Sequence, residues 1–153
     1  MIFVTIGTQK QQFIRLMKML DNSKELEQDE IIVQSGHTQY KSSKLKQIEF
    51  ISPEEIEQYI DKAEIVICQG GVGSIFSALR KNKKVLVVPR LSEYGEHINN
   101  HQLEICEQLE KDGYILYVKN ENDFDKMIRK LRKRKIKTYR YDESFLDKLR
   151  KEI

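Results

Sequence analysis

Residues 64–74 read Glu-Ile-Val-Ile-Cys-Gln-Gly-Gly-Val-Gly-Ser, an apolar run that passes directly into three glycines. A short, continuous apolar run of this kind is typical of a strand that is buried on both faces. Residues 75–79 then place apolar side chains at helical spacing. The segment therefore predicts a buried strand, a glycine-rich turn and a helix, in that order.

The same alternation continues on both sides of this segment. Apolar runs predict further strands at residues 2–6, 30–34, 47–51, 84–88 and 114–118. Helical spacing predicts helices at residues 11–20, from Ser52 onward, and at about 96–109, 122–133 and 142–151. The helix after Ser52 has a capping serine, a proline in its first turn and Glu55 three residues after the cap.

Continuous apolar strands that alternate with helices indicate a parallel sheet that is covered on both faces. We therefore expect an α/β fold, a Rossmann-like parallel sheet sandwiched by helices, with a helical C-terminal extension. No repeat, low-complexity segment or linker interrupts the pattern, so residues 1–153 should form a single domain. Its core should span residues 1–118, and residues 119–153 should form basic C-terminal helices.

Composition excludes several classes of protein. With 39% hydrophobic and 33% charged residues the chain is not a disordered tail. No apolar run approaches the ~18–20 residues that a membrane-spanning helix needs, and residues 1–7 do not have a signal peptide's basic start. We therefore expect a cytoplasmic protein. Cys68 and Cys106 lie too far apart for a Cys-x-x-Cys pair, so both are expected to be buried thiols.

Positive charge is concentrated at the C-terminal end. Residues 119–153 contain 13 Lys and Arg against 7 Asp and Glu, although the net charge of the whole chain is only +3. A predicted basic helix at residues 126–137 indicates contact with anionic lipid headgroups or with a protein partner, and a solvated charged face is the alternative. Nucleic acid is not expected as a partner, because the run has no interleaved aromatic residues and no recognised binding module.

Ligands of such sheets bind at the carboxyl ends of the strands. Here those ends carry Gly7-Thr8-Gln9, Ser35-Gly36-His37-Thr38 and the glycine run that ends at Ser74. Glycines allow close approach of the backbone to a diphosphate, and the helix that follows offers unpaired N–H groups and the positive end of its dipole. The third turn therefore predicts phosphate or diphosphate binding; a turn needed only for tight packing is the alternative.

The pattern disfavours the common nucleotide and metal sites. A dinucleotide fingerprint would need glycine at position 76, where the chain has Phe76, and no P-loop motif is present. His97 and His101 are four residues apart on a predicted helix, but the glutamate of the His-Glu-x-x-His motif is missing. We therefore expect no metal and no cofactor. His37 is a further candidate for lining the site, or an ordinary loop residue.

Four ordered motifs together resemble one known family. They are Val-Thr-Ile-Gly-Thr at residues 4–8, the glycine run at 70–74, Val-Val-Pro-Arg at 87–90 and Glu-His-Ile-Asn-Asn-His-Gln at 96–102. The chain resembles the family 28 glycosyltransferase C-terminal domain, the donor-binding half of MurG-like enzymes. Among stand-alone members it is similar to PssE-type subunits of bacterial exopolysaccharide and capsule synthesis, and to the cytosolic subunit of the eukaryotic two-part UDP-N-acetylglucosamine transferase.

The resemblance implies a GT-B fold that is split across two polypeptides, of which this chain is the UDP-sugar-binding C-terminal half. It implies an inverting, metal-independent hexosyltransferase that is active only with a membrane-anchored, PssD-type acceptor-binding subunit. The acceptor would be a lipid-diphosphate-linked sugar, and the chain would be peripheral at the inner face of the plasma membrane through its partner. A non-catalytic activating or stabilising subunit is the alternative.

The resemblance also assigns site residues. Gly7 and Thr8 match the first glycine loop, and Phe50 and Ile51 fall where the family's backbone reads uracil. The full diphosphate and donor-sugar segments are Gly70, Gly71, Val72, Gly73 and Ser74, followed by Asn100, His101 and Gln102. Ser77 stands where many relatives carry an acidic residue that binds the ribose hydroxyls, and a serine hydrogen-bonds more weakly than a carboxylate. The general base is expected from the partner.

Overall fold

The computed structural model describes residues 1–135, which form one parallel sheet with helices on both faces. The strands are β1 (Ile2–Thr5), β2 (Ile31–Gln34), β3 (Lys46–Ile48), β4 (Ile65–Cys68), β5 (Lys84–Val87) and β6 (Leu116–Tyr117). The α-helices of the described residues are α1 (Ile14–Asn22), α2 (Pro53–Lys62), α3 (Val72–Arg80), α4 (His101–Lys111) and α5 (Phe124–Lys133). The predicted α/β architecture is confirmed.

The core is divided between the two faces of the sheet, because successive side chains of a strand point in opposite directions. In β1, Ile2 and Val4 join a cluster with side chains of α1 and α5, whereas Phe3 joins a second cluster with side chains of α2, α3 and α4. All four residues of β1 and of β4 are buried. Burial on both faces explains why these strands are continuously apolar.

The strand order places a crevice beside β1. The order is β3-β2-β1-β4-β5-β6, with every neighbouring pair parallel. From β1 the chain first builds the sheet outward through β2 and β3, and then crosses back to add β4 on the other side. Connections that leave β1 and β4 therefore diverge to opposite faces, and this reversal point is where open α/β sheets bind ligands.

Helix α2 begins as its sequence predicts. The Ser52 hydroxyl accepts a hydrogen bond from the Glu55 backbone N–H at 3.2 Å, and Pro53 occupies the first helical turn. A side-chain acceptor at this position satisfies one of the N–H groups that the first turn leaves unpaired. The cap fixes where the chain turns from β3 into α2, and it thereby places Ile51 and Ile56 at the carboxyl edge of the sheet.

Helix α4 begins five residues later than predicted, at His101. The Glu96 carboxylate accepts the Leu91 N–H, and the Asn99 side chain accepts the His101 N–H. Side chains that bond nearby backbone groups in this way compete with the helix. The predicted helix is present, but its predicted start at residue 96 was wrong, and His97 and His101 do not share a helix face.

Other predicted boundaries moved less. Helix α1 begins at Ile14 rather than at residue 11. Phe13, the residue before it, has a non-helical backbone (φ −122°, ψ 54°), and its N–H donates to the Thr38 hydroxyl at 3.0 Å. The helix predicted to begin near Ser74 begins at Val72, and the basic helix predicted at residues 126–137 ends at Lys133. The predicted helix at residues 142–151, and with it most of the C-terminal extension, lies outside the described residues.

Candidate functional site

A cavity with a volume of about 360 Å³ lies at the carboxyl ends of β1, β2 and β4. Its described lining residues are Thr5, Gly7, Thr8, Gln9, Gln34, Phe50, Ile51, Ile56, Gln69, Gly71, Gly73 and Ser74. Seven of the thirteen predicted site residues are among them, although these seven come from three separate segments of the chain. Its size lies within the range of small-molecule sites. We refer to it below as the strand-end cavity.

One wall of the strand-end cavity is apolar. Phe50, Ile51 and Ile56 form this wall, and the Phe50 ring is 51% exposed although it is large and hydrophobic. The His37 ring meets Phe50 edge-on, with 5.1 Å between the ring centroids. Packing against His37 holds Phe50 in place, so a flat apolar ring faces the cavity. Such a wall suits a planar heterocycle.

The opposite wall is formed by backbone. Gly71 is the residue before the first turn of α3, and no side chain caps that turn. The first backbone N–H groups of a helix have no partner within it, and the helix dipole places partial positive charge there. A methyl group added at Gly73 would meet nothing within 4 Å. The first turn of α3 is therefore open to the cavity, in the arrangement that binds phosphate groups at helix N-termini.

Gly7 is required at the floor of the cavity. Its φ of +78° is in the left-handed region, and an added Cβ would lie 2.0 Å from Nε2 of Gln69. Only glycine adopts that angle without strain and leaves room for the amide. Gly7 and Gln69 thus bring the turns after β1 and β4 into contact, and both residues line the cavity there.

The cavity wall carries no formal charge. Among the described residues that line it there is no Asp, Glu, Lys, Arg or His. Polar groups come instead from backbone N–H groups, the hydroxyls of Thr5, Thr8 and Ser74, and the amides of three glutamines. Such a site can bind an anion through fixed dipoles, but its own lining offers no general base for a proton transfer.

Comparison with known proteins agrees with this geometry. Residues 1–152 match the glycosyltransferase family 28 C-terminal domain. The chain belongs to this family. Over 78 residues it is 32% identical to the UDP-N-acetylglucosamine transferase subunit ALG13 of Candida albicans, a match that covers 51% of this chain and 25% of that protein. The chain thus spans about a quarter of the length of that relative.

Solved structures show the same fold. The solution structure of ALG13 superposes with a TM-score of 0.63 at 22% identity, over 97% of this chain and 94% of that one. MurG of Acinetobacter baumannii superposes with a TM-score of 0.54 at 17% identity, over 84% of this chain and 40% of that one. These likenesses show that the described domain has the Rossmann-like architecture of one half of a GT-B glycosyltransferase.

Two residues of the predicted diphosphate segment, Gly70 and Val72, and the predicted ribose position, Ser77, do not line the strand-end cavity. Gly70 packs against α4, where an added Cβ would lie 2.6 Å from Cβ of Gln102. Val72 does not line the cavity. The Ser77 hydroxyl donates to the Gly73 carbonyl at 2.9 Å, one turn further along α3. The structure therefore brings Gly71, Gly73 and Ser74 to the cavity and leaves the other three beside it.

The predicted donor-sugar segment also lies apart. Asn100 accepts hydrogen bonds from the N–H and hydroxyl of Ser92, and His101 lies 3.5 Å from the Glu104 carboxylate. Gln102 is 5% exposed, and its Oε1 accepts from the backbone N–H groups of Gly70 and Arg90. The Gln102 amide thus connects α4 to the turns after β4 and β5. Its role at the donor sugar stays a prediction.

Of the three glutamines in the wall, Gln9 was noted in the strand-end segment Gly7-Thr8-Gln9, whereas Gln34 and Gln69 were not among the predicted site residues. Gln34 ends β2, bonds the Thr5 hydroxyl through Oε1 at 2.8 Å and donates to the Glu49 carbonyl at 2.9 Å. Gln9 follows β1, and its Oε1 is buried without a hydrogen-bond partner among residues 1–135. Gln69 follows β4 directly. Each is a polar residue at the carboxyl end of a central strand, and that position was the available signal.

A second, larger cavity, with a volume of about 970 Å³, lies between the start of α1 and the segments after β5 and β6. It contains none of the predicted site residues. At its base the Arg15 guanidinium forms a two-pronged ion pair with Glu96, with N–O distances of 2.9 and 3.1 Å. Because both partners are buried and already paired, we consider the glycine-lined strand-end cavity the functional site.

The remaining candidate chemistry is structural. Cys68 and Cys106 are both buried free thiols in the cluster beneath α3 and α4, and burial raises the pKa of Cys68 to about 12. A thiol that stays protonated is not a nucleophile.

Residues 1–135 contain no group of three or more His, Cys, Asp or Glu side chains placed to hold a metal ion. Within the same residues no helix is long and apolar enough to cross a bilayer.

Proposed function

We propose that this chain is the donor-binding subunit of a two-component glycosyltransferase, and that its strand-end cavity binds the UDP part of a UDP-sugar. The observation that carries the proposal is the pairing of two walls in one cavity. The apolar wall with the exposed Phe50 ring suits the base, and the uncapped first turn of α3 suits the diphosphate. Membership of family 28 supports this assignment.

The names of the relatives indicate which UDP-sugar to test first as the donor. The C. albicans and human relatives are both called UDP-N-acetylglucosamine transferase subunit ALG13. UDP-N-acetylglucosamine is therefore the first donor to test, ahead of the UDP-hexoses of exopolysaccharide synthesis. The word subunit in those names also supports a second polypeptide as the acceptor-binding half.

The chemistry divides between the two halves in this proposal. As the bond from the sugar to UDP breaks, negative charge accumulates on the diphosphate, and the N–H groups at the start of α3 stabilise it. The acceptor hydroxyl must lose a proton, for which the described cavity lining has no carboxylate or imidazole. The partner subunit supplies that base, and also the site for a lipid-diphosphate-linked acceptor.

The partner would also bring the chain to the membrane. Helix α5 presents a basic outer face, on which Lys126, Lys130 and Lys133 are exposed. Arg129 and Arg132 of the same helix are paired with Glu25 and Asp29. The three lysines are the cations of α5 that we propose to face anionic headgroups beside the partner's anchor, at the inner face of the plasma membrane.

Calorimetric titration of the purified chain with UDP tests the proposal, with NAD and ATP as controls. Of these three ligands, only UDP should bind. Gly73→Asp should abolish binding, because it places a carboxylate where the phosphates would lie, in space that is otherwise empty. Gly73→Ala is the matched control, since its methyl group also meets nothing within 4 Å and adds no charge.

The alternative function is a non-catalytic activating or stabilising subunit. The engagement of Ser77 with the Gly73 carbonyl favours it, because that position holds a ribose-binding carboxylate in many relatives. If neither UDP nor UDP-N-acetylglucosamine binds while the chain is folded, the donor-binding proposal is wrong and this alternative takes its place.

A further inference from the structure

Arg90 is the largest fully buried side chain of the described residues, with 1% of its surface exposed. It follows Pro89 at the end of β5 and stacks on the Phe13 ring, with 4.8 Å from its Cζ to the ring centroid. Burial lowers its pKa to about 10, so the guanidinium still carries its charge at neutral pH. A buried charge is retained only where hydrogen bonds compensate for the lost water.

Those hydrogen bonds join three turns at the carboxyl edge of the sheet. The guanidinium donates to the Ile6 and Gln11 carbonyls, both at 2.8 Å, on either side of the turn that contains Gly7. It donates to the Glu96 carbonyl at 3.1 Å, in the segment after β5. Its shortest bond, 2.6 Å, runs from Nε to Oε1 of Gln69 in the turn after β4.

The bond to Gln69 fixes which end of that amide faces the strand-end cavity. Arginine has no acceptor, so the atom of Gln69 that faces Arg90 must be the oxygen. Gln102 gives the same answer independently. Its Oε1 already accepts two backbone N–H groups, so the end that meets Gln69 Oε1 at 3.3 Å is its NH2 group. The orientation of Gln69 therefore follows from donors that cannot be reversed.

The NH2 group of Gln69 consequently points at the two glycine turns. Its Nε2 lies 2.0 Å from where a Cβ of Gly7 would be and 3.5 Å from where a Cβ of Gly71 would be. Both glycines line the strand-end cavity, as does Gln69 itself. The group is thus an N–H donor at the junction of the turns after β1 and β4.

We propose that Arg90 is a positioning residue for donor binding. It holds the oxygen of Gln69 away from the strand-end cavity, and so presents the NH2 group to an anionic oxygen of the bound diphosphate. Without Arg90 the amide can reverse, and its oxygen would then repel the same ligand. This inference rests on the proposed binding of a UDP-sugar, whereas the orientation of the amide can be measured without any ligand.

The first test uses the unliganded protein. In the wild type, nuclear Overhauser contacts should join the Gln69 side-chain NH2 protons to the Hα protons of Gly7. In Arg90→Met these contacts should weaken or disappear, because the remaining bond from Gln102 is long at 3.3 Å. Absence of the contacts in the wild type, or their full retention in Arg90→Met, would overturn the proposal.

The second test compares two ligands, UDP and uridine, by titration followed by NMR. Arg90→Met should weaken UDP binding by about 10- to 100-fold, as expected for loss of a hydrogen bond to a charged group, and should leave uridine affinity within about twofold. Equal losses for both ligands would show that Arg90 only maintains the fold. If the wild type does not bind UDP, the proposed function fails, and the Overhauser contacts still decide the orientation.

Arg15→Met is the matched control. Arg15 is also buried and near Phe13, and it bonds Glu96 and the Pro89 carbonyl, but it makes no contact with Gln69. The Arg15→Met variant should leave the ratio of UDP to uridine affinity unchanged.

The Gln69→Glu variant takes the place of Arg90→Met if Arg90→Met does not fold. It keeps an oxygen facing Arg90 and replaces the NH2 group by a second oxygen. UDP affinity should fall at least as far in Gln69→Glu, and unchanged UDP affinity there would also overturn the proposal.

Discussion

Gly70 and Gly73 lie three residues apart in one motif, yet the absence of a side chain has a different role at each position. At Gly70 an added Cβ would lie 2.6 Å from Cβ of Gln102 and 3.0 Å from its backbone carbonyl, so the obstacle includes the start of α4 itself. At Gly73 the same atom would enter open space. One glycine allows two elements to pack, and the other keeps the strand-end cavity clear.

Substitution by alanine should separate these roles. Gly70→Ala should lower the free energy of unfolding by about 1–3 kcal/mol, the usual effect of overpacking. Gly73→Ala should leave it unchanged or raise it by up to ~1 kcal/mol, because alanine favours the helix. Urea denaturation followed by circular dichroism measures both. Equal effects of the two substitutions would contradict the packing difference.

The Arg15–Glu96 ion pair joins helix α1 to the segment between β5 and α4. Both side chains are almost completely buried, and the Glu96 carboxylate also accepts the Leu91 N–H. Removing one partner of such a pair leaves a buried charge without compensation, which is more harmful than removing both.

Arg15→Met should therefore lower the free energy of unfolding by about 3–5 kcal/mol. The double variant Arg15→Met with Glu96→Leu should recover part of that loss, because no unpaired carboxylate remains. Chemical denaturation of the single and double variants at equal temperature provides the comparison. A double variant less stable than Arg15→Met would show that the hydrogen bonds of Glu96 to the backbone outweigh its burial.

The elements also show how far sequence reasoning extends. The buried strands were predictable because burial on both faces requires continuous apolar residues, as in β1 and β4. The cap of α2 was predictable because Ser52, Pro53 and Glu55 act locally. The start of α4 was not, since Glu96 is held by Arg15, a partner 81 residues away in sequence.

The same division holds for the candidate site. Gly7, Gly71, Gly73 and Ser74 were found from glycine-rich turns at strand ends. The roles of Gln34 and Gln69 were not predicted, although both stand at strand ends, because Gln69 gains its orientation only from Arg90 and Gln102. The resemblance assigns Gln102 to the donor sugar, which stays a prediction, and its two backbone partners depend on tertiary packing that the sequence does not show.

The exposed lysines of α5 lead to a prediction about binding to anionic membranes. Each exposed lysine near an anionic bilayer contributes about 1 kcal/mol of binding. Replacing Lys126, Lys130 and Lys133 by glutamine should therefore weaken partition onto vesicles of phosphatidylglycerol and phosphatidylcholine by roughly 100-fold. Sedimentation with vesicles provides the measurement.

A control variant should carry the same change of charge elsewhere, at the exposed lysines Lys41, Lys62 and Lys111. It should bind vesicles more tightly than the α5 variant. If the two variants bind equally, only net charge matters, and docking of α5 on a protein partner becomes the better explanation of its basic face.

The uncharged wall of the strand-end cavity also determines how binding responds to ionic strength. Sites that use exposed lysine and arginine weaken steeply as salt is added, because mobile ions screen those charges. In the proposed complex the attraction comes from backbone dipoles at close range, and the Arg90 guanidinium, which bonds Gln69 of the wall, is shielded from solvent. Between 50 and 500 mM sodium chloride, the dissociation constant for UDP should therefore change by less than about threefold. A UDP site of this kind would stay occupied at salt concentrations that weaken binding through exposed lysines.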